Sequence, residues 1–106
     1  MTSMADDPKT GGEVLERTKT DVAQPPMWRV VLLNDDYTPM DFVVQLLESI
    51  FDKSPAEAYR IMMHVHVNGR GIAGIYPWEV AETKADTVRA LAAEAGYPLR
   101  ATIEES

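Results

Sequence analysis

Apolar and polar residues alternate along this chain in blocks whose period changes from one block to the next. Met27 to Leu33 is a short apolar run centred on β-branched Val30 and Val31, and it reads as a strand. Val43, Leu46, Leu47 and Ile50 then stand at i, i+3, i+4 and i+7, one face of a helix ending near Asp52–Lys53. Ala58, Ile61, Met62 and Val65 repeat that spacing in a second helix, closed by Asn68–Gly69 as a C-cap pair. Gly71 to Tyr76 carries Ile72, Ala73 and Ile75 between glycines and reads as a second strand, weakened by Gly74 and broken by Pro77. Ala81, Ala85, Val88, Leu91, Ala92 and Ala95 form the small-residue face of a third helix, from about Trp78 to Ala95, suited to close packing on a sheet. Gly96 follows as its C′ residue and Pro98 forbids continuation. Leu99 to Ile103 reads as a last strand. The order is β-α-α-β-α-β, which predicts an α+β fold with a three-stranded antiparallel sheet packed against three helices.

Two stretches predict how the helices begin. Thr38, Pro39 and Asp41 read as N-cap, first and third helical residues, a T-x-x-D capping box with proline where its missing N–H costs nothing. Ser54, Pro55 and Glu57 repeat the arrangement for the second helix. Asn34, Asp35 and Asp36 therefore sit on a short loop clamped between a strand and a capped helix, a good place to present side chains in fixed geometry. Residues 1–24 are polar and cannot bury enough surface to offset their ordering entropy, so they are expected to be a disordered arm. Pro25–Pro26 closes that arm, and residues 25–106 are expected to form a single core domain.

The net charge of −7, from 17 acidic against 10 basic residues, argues against a nucleic-acid or anionic-membrane surface and is compatible with a cationic ligand. With no cysteine there is no disulfide framework, thiolate metal site or cysteine nucleophile. The opening residues do not read as a signal peptide, and no apolar run approaches the roughly 18 residues of a membrane span. A cytoplasmic monomer without metal or other cofactor is the expectation.

Among the residues that could carry chemistry, His64 and His66 form an H-x-H pair. On a helix, residues two apart point about 200° apart and cannot converge on one ion, so a metal site would need the helix to end early. His66 shares a face with Met62 and Val65, whereas His64 faces away. Asp35–Asp36 could be a turn device or a pair for general acid and base work, but no serine or cysteine nucleophile and no Gly-rich phosphate loop stands beside them. Asn34, Asp36 and a neutral His66 all offer acceptor atoms, and an ammonium group has three donors. Met40, Val43, Met62, Val65 and Leu99 could surround them with apolar surface, which suits a primary amine attached to an apolar group. The same methionines could equally be ordinary core. Glu79, Glu82 and Lys84 form a charged patch early in the third helix, with Trp78 either an interface anchor or a cap over the core.

Four strings, in order, carry a resemblance: Val31 to Met40 (VLLNDDYTPM), Met62 to His66 (MMHVH), Glu79 to Lys84 (EVAETK) and Pro98–Leu99. Over about residues 25–105 the chain resembles ClpS, the adaptor that delivers N-degron substrates to the bacterial Clp AAA+ unfoldase. The resemblance implies an adaptor with no reaction of its own. It implies that Asn34, Asp36 and His66 hold the free α-amino group of a substrate, with Asp35 nearby supplying negative potential. The first side chain, Leu, Phe, Tyr or Trp, would enter a pocket made by Thr38, Met40, Val43, Met62, Val65 and Leu99, with Met40 a gate against Val and Ile. Glu79 and Lys84 match positions that dock on the N-terminal domain of ClpA or ClpC, and residues 1–24 would help hand the substrate over. Ala73, where many relatives have cysteine, and Tyr76–Pro77–Trp78 depart from the family pattern. Two other functions stand beside this one: a small metal- or carboxylate-dependent hydrolase using Asp35, Asp36 and His66, and an interaction module that modulates the unfoldase without using the pocket.

Overall fold

The computed structural model describes residues 25–106, so the expectations for residues 1–24 lie outside the described residues. Six elements follow in the predicted order: β1 (Met27–Leu33), α1 (Met40–Ser49), α2 (Pro55–Asn68), β2 (Arg70–Pro77), α3 (Trp78–Ala95) and β3 (Arg100–Glu105). The strands form one antiparallel sheet in the order β2-β1-β3, so the first strand of the domain is its centre. That position explains why Val30, Val31 and Leu32 are all fully buried. Val30 and Leu32 join Ala73, Ala101 and the buried residues of all three helices in one core. Val31 points to the opposite face, which none of the described helices covers. There the Arg70–Glu104 ion pair, 2.7 Å long, bridges the two edge strands.

β2 runs one residue further at each end than the alternation predicts, and a bulge explains its mixed pattern. Val30 pairs with Gly74 and Val31 with Ile72, which leaves Ala73 as the extra residue. Ala73 turns inward and is fully buried, whereas Ile72 and Ile75 both turn out to the open face. Pro77 closes the strand and is also the N-cap residue of α3, so strand and helix join without a loop. Trp28 and Trp78 meet edge to face at 4.8 Å and fasten that joint to β1.

Of the four caps predicted, at Thr38, Ser54, Gly69 and Gly96, the last three form. Ser54 Oγ accepts from Glu57 N–H at 3.2 Å, as a capping residue should. Gly69 and Gly96 both adopt left-handed backbone, with φ of 89° and 83°. After Gly96, Tyr97 N–H reaches back to Ala92 O and Gly96 N–H to Ala93 O, a Schellman motif. Tyr97 then packs edge to face on Phe42 of α1. The start of α1 differs from expectation. Pro39, not Thr38, is the N-cap residue, and no side chain caps that end. Thr38 is instead held by Asp35. α1 also ends at Ser49, short of Asp52–Lys53. Asp52 takes a positive φ of 56°, and the turn carries Phe51 into the core while Ile50 stays half-buried.

Candidate functional site

The loop between β1 and α1 is built around one carboxylate. Asp35 Oδ1 accepts from Tyr37 N–H (2.8 Å) and Thr38 N–H (2.7 Å), and Oδ2 accepts from the Thr38 hydroxyl (2.8 Å). Partial burial alone would push the Asp35 carboxyl up, but the Thr38 and Tyr37 hydrogen bonds, helped by the charge of Arg100, hold it below the usual carboxylate range. Asp35 is thus the brace of the loop. Its neighbours Asn34 and Asp36 are exposed on either side of it.

A second tie joins this loop to α2. Asn34 N–H donates to Gly69 O at 2.9 Å, and Gly69 N–H donates to Val65 O at 2.8 Å. The left-handed turn at Gly69 therefore fixes the loop against the last turn of α2, which carries His66. The two histidines of α2 go separate ways. His66 faces the loop, while His64 pairs through Nδ1 with Asn68 Nδ2 at 3.1 Å. Among the described residues no group of three potential ligands could hold a metal ion.

Between the loop, α1, α2 and the start of β3 lies a pocket of about 380 Å³. Its lining includes all ten residues singled out in the sequence: Asn34, Asp35, Asp36, Thr38, Met40, Val43, Met62, Val65, His66 and Leu99. Four of them, Val43, Met62, Val65 and Leu99, are nearly buried and make an apolar floor. Leu99 reaches it because the turn at Gly96 reverses the chain before β3. Met40 stands at the mouth, 42% exposed. The polar residues Asn34, Asp36 and His66 line the same pocket and are exposed. This arrangement can take a cationic, donor-rich head and an apolar side chain at once.

Leu33, Tyr37 and Pro39 also line the pocket and were missed in the sequence. Tyr37 is 78% exposed, so it belongs to no periodic apolar face; its place between Asp36 and Thr38 was the available signal. Glu79 and Lys84 lie elsewhere, on α3. Glu79 is exposed in the first turn. Lys84 is half-buried: its Nζ donates to Ile50 O at 2.6 Å, at the C-terminus of α1, and lies 5.2 Å and 5.8 Å from the rings of Tyr76 and Phe51. Burial, reinforced by the charge of Asp52, pushes the Tyr76 hydroxyl up.

Comparison with known proteins adds an independent line. Residues 23–102 match the family model described as "ATP-dependent Clp protease adaptor protein ClpS". The chain is 50% identical over 95 residues to the ClpS adapter of Maricaulis maris, covering 90% of this chain and 87% of that one. It is 54% identical over 92 residues to the ClpS adapter of Deinococcus radiodurans, covering 87% and 80%. The structure of Agrobacterium tumefaciens ClpS2 bound to L-phenylalaninamide superposes with a TM-score of 0.75 at 40% identity, covering 78% of this chain and all of the other.

Proposed function

We infer that this pocket reads the first residue of other proteins, because the chain belongs to the ClpS family of adaptors of the ATP-dependent Clp protease. Adaptors of this family are not enzymes, which removes the hydrolase reading of Asp35, Asp36 and His66. Asn34, Asp36 and His66 receive the free α-amino group, and the bulky first side chain, Leu, Phe, Tyr or Trp, enters the apolar floor. Asp35 adds negative potential while bracing the loop. The bound substrate is then delivered to the ClpA or ClpC unfoldase for degradation by ClpP. The docking contact with the unfoldase N-terminal domain includes Glu79, which is offered to solvent, and Lys84, whose stem and charge hold the underlying α1–α3 junction.

One observation carries this reading: the exposed acceptors lie beside a floor of Val43, Met62, Val65 and Leu99 in one pocket. The phenylalaninamide bound by the Agrobacterium relative has the same two parts, a free amine and a bulky side chain. Magnitudes agree. A hydrogen bond to a charged group contributes roughly 1.5–3 kcal/mol, and burying a Leu or Phe side chain adds about 1.5–3 kcal/mol. Several such contacts, less several kcal/mol for association, leave a net of about −7 to −9 kcal/mol, a micromolar or somewhat tighter complex. Met40, exposed at the mouth, serves in this reading as the gate against Val and Ile, whose side chains branch at Cβ.

The test is fluorescence anisotropy with three labelled peptides that differ only at the N-terminus: free Leu, acetylated Leu and free Val. Only the free Leu peptide is expected to bind tightly, because acetylation removes the positive charge and all but one of the N–H donors that Asn34, Asp36 and His66 would accept from. Equal binding of all three, or of none, overturns amine capture and leaves modulation of the unfoldase through the α3 surface as the function.

A further inference from the structure

A second groove lies on the other side of α2, and its chemistry is the reverse of the pocket's. It has a volume of about 440 Å³. The chain has ten basic side chains, and three of them, Arg29, Arg60 and Arg70, line this groove together with His64 and Asn68; among the described residues no carboxylate lines it. Glu57 and Glu104 pair with Arg60 and Arg70 from outside the lining, so three positive against two negative charges leave the groove one net positive charge in a chain of net charge −7.

Three observations say that the groove is open to an anion. Among the described residues Arg29 Nε is buried without a hydrogen-bond partner, and buried donors in native proteins are almost always satisfied. Arg60 and Arg70 have partners, Glu57 and Glu104, but both ion pairs are substantially exposed. Exposed pairs of this kind contribute about 0–1 kcal/mol, so exchange for a ligand carboxylate costs little. His64 Nδ1 faces the Asn68 amide N–H, which puts the ring proton of the neutral imidazole on Nε2 as a further donor.

The groove also has a shape. β2 is an edge strand, so one side of it carries backbone N–H and C=O groups that β1 does not pair. Gly71 lets that strand lie directly on α2: a Cβ there would stand 2.7 Å from Val65 Cγ2 and 3.3 Å from His64 Cδ2. Arg70 to Ile72, the part of β2 that borders the groove, pairs in unbroken register with β1 up to the bulge at Ala73, and Ile72 lies exposed beside the groove.

We propose that the groove between α2 and the open edge of β2 binds an extended acidic peptide segment, which adds to the edge strand while Arg29, Arg60 and Arg70 receive its carboxylates. In an extended chain, alternate residues share a face, so a segment with an acid at every second position places its charges together over the arginines and main-chain hydrogen bonds supply the rest. The open edge favours a peptide over a nucleic acid, whose sugar-phosphate backbone cannot extend a sheet. This site is independent of amine capture: His64 and His66 face opposite sides of α2.

The test uses the full chain and a labelled peptide of alternating Glu and Val, acetylated and amidated so that it has no free amine. A Lys–Val peptide is the charge-reversed control. The Glu peptide is expected to bind saturably and about tenfold or more tighter than the control, and to weaken as salt is raised. Arg60→Gln combined with Arg70→Gln should lower its affinity about five- to tenfold and leave binding of a free Leu peptide unchanged. Amide shifts on titration should centre on His64, Asn68 and Gly71. No saturable binding, equal binding of the Glu and Lys peptides, or an unaltered double variant overturns the proposal. So does a single-stranded oligonucleotide that displaces the Glu peptide as well as unlabelled peptide does, since the groove would then be a general polyanion site. Because the free Leu peptide is measured alongside, failure here is distinguishable from failure of amine capture.

Discussion

Asp35 shows how little a residue's type says about its job. Three adjacent polar residues, Asn34, Asp35 and Asp36, look interchangeable as amine acceptors, yet Asp35 directs both carboxylate oxygens at its own loop. Asp35→Ala is therefore expected to destabilise the domain by about 1–2 kcal/mol and to weaken the free Leu peptide by loosening Asn34 and Asp36. The sign of the pH dependence follows from its depressed folded-state pKa. The stabilisation is fully present above the ordinary value of 3.8 and is lost as pH falls through the lower folded value. Urea midpoints of wild type and Asp35→Ala, measured as a function of pH, should differ near neutrality and converge in acid. A difference that persists unchanged to the lowest pH would show that the carboxylate charge is not what braces the loop.

At the scale of elements, the site depends on where helices stop. Gly69 ends α2 in a left-handed conformation and hands its carbonyl to Asn34 N–H, so a C-cap also positions one side of the pocket. A Cβ at Gly69 would meet nothing within 4 Å, so the cost of Gly69→Ala is conformational alone. That cost is about 1–2 kcal/mol. Part of it should appear as weaker peptide binding, because relaxing φ moves the carbonyl that holds Asn34. Thermal unfolding and peptide titration on the same variant check both halves; lost stability with unaltered affinity would separate the cap from the site. Lys84 works in the same way at α1. Its ammonium holds the Ile50 carbonyl, where the helix ends without a glycine and closes through Asp52 instead.

Over the whole molecule, function divides by place. Among the described residues, those lining the pocket lie between Leu33 and Leu99, and Glu79 projects from a helix whose buried face, Ala81, Ala85, Val88 and Ala92, is committed to the core. In the proposed function, peptide capture belongs to the core domain and the hand-over of substrate to residues 1–24. Deleting them should leave the affinity for a free Leu peptide unchanged and lower the rate at which an N-degron substrate is degraded by the unfoldase and ClpP. Loss of peptide binding with the deletion would overturn this division. Among the described residues no helix is long and apolar enough to cross a membrane.

The periodicity of the chain determined the element order, the limits of α3 and the caps at Ser54, Gly69 and Gly96, because each depends on neighbours within a few residues. Local spacing also separated His66 from His64, since a helix points residues two apart to different sides. Short-range pattern could not decide what depends on which elements become neighbours. Thr38 reads as an N-cap until Asp35, three residues earlier, takes its hydroxyl and amide. Gly71 to Tyr76 reads as a strand, but which of Ile72, Ala73 and Ile75 turns inward is decided only when β1 becomes the central strand and a bulge falls at Ala73. Phe51 reads as the end of a helix until Asp52 turns it inward. Lys84 reads as surface charge until packing brings the end of α1 beneath it. Arg29, Arg60 and Arg70, widely separated in the chain, have no common pattern at all. Their convergence exists only because α2 lies against β2, and a sequence lists no contact between residues that far apart.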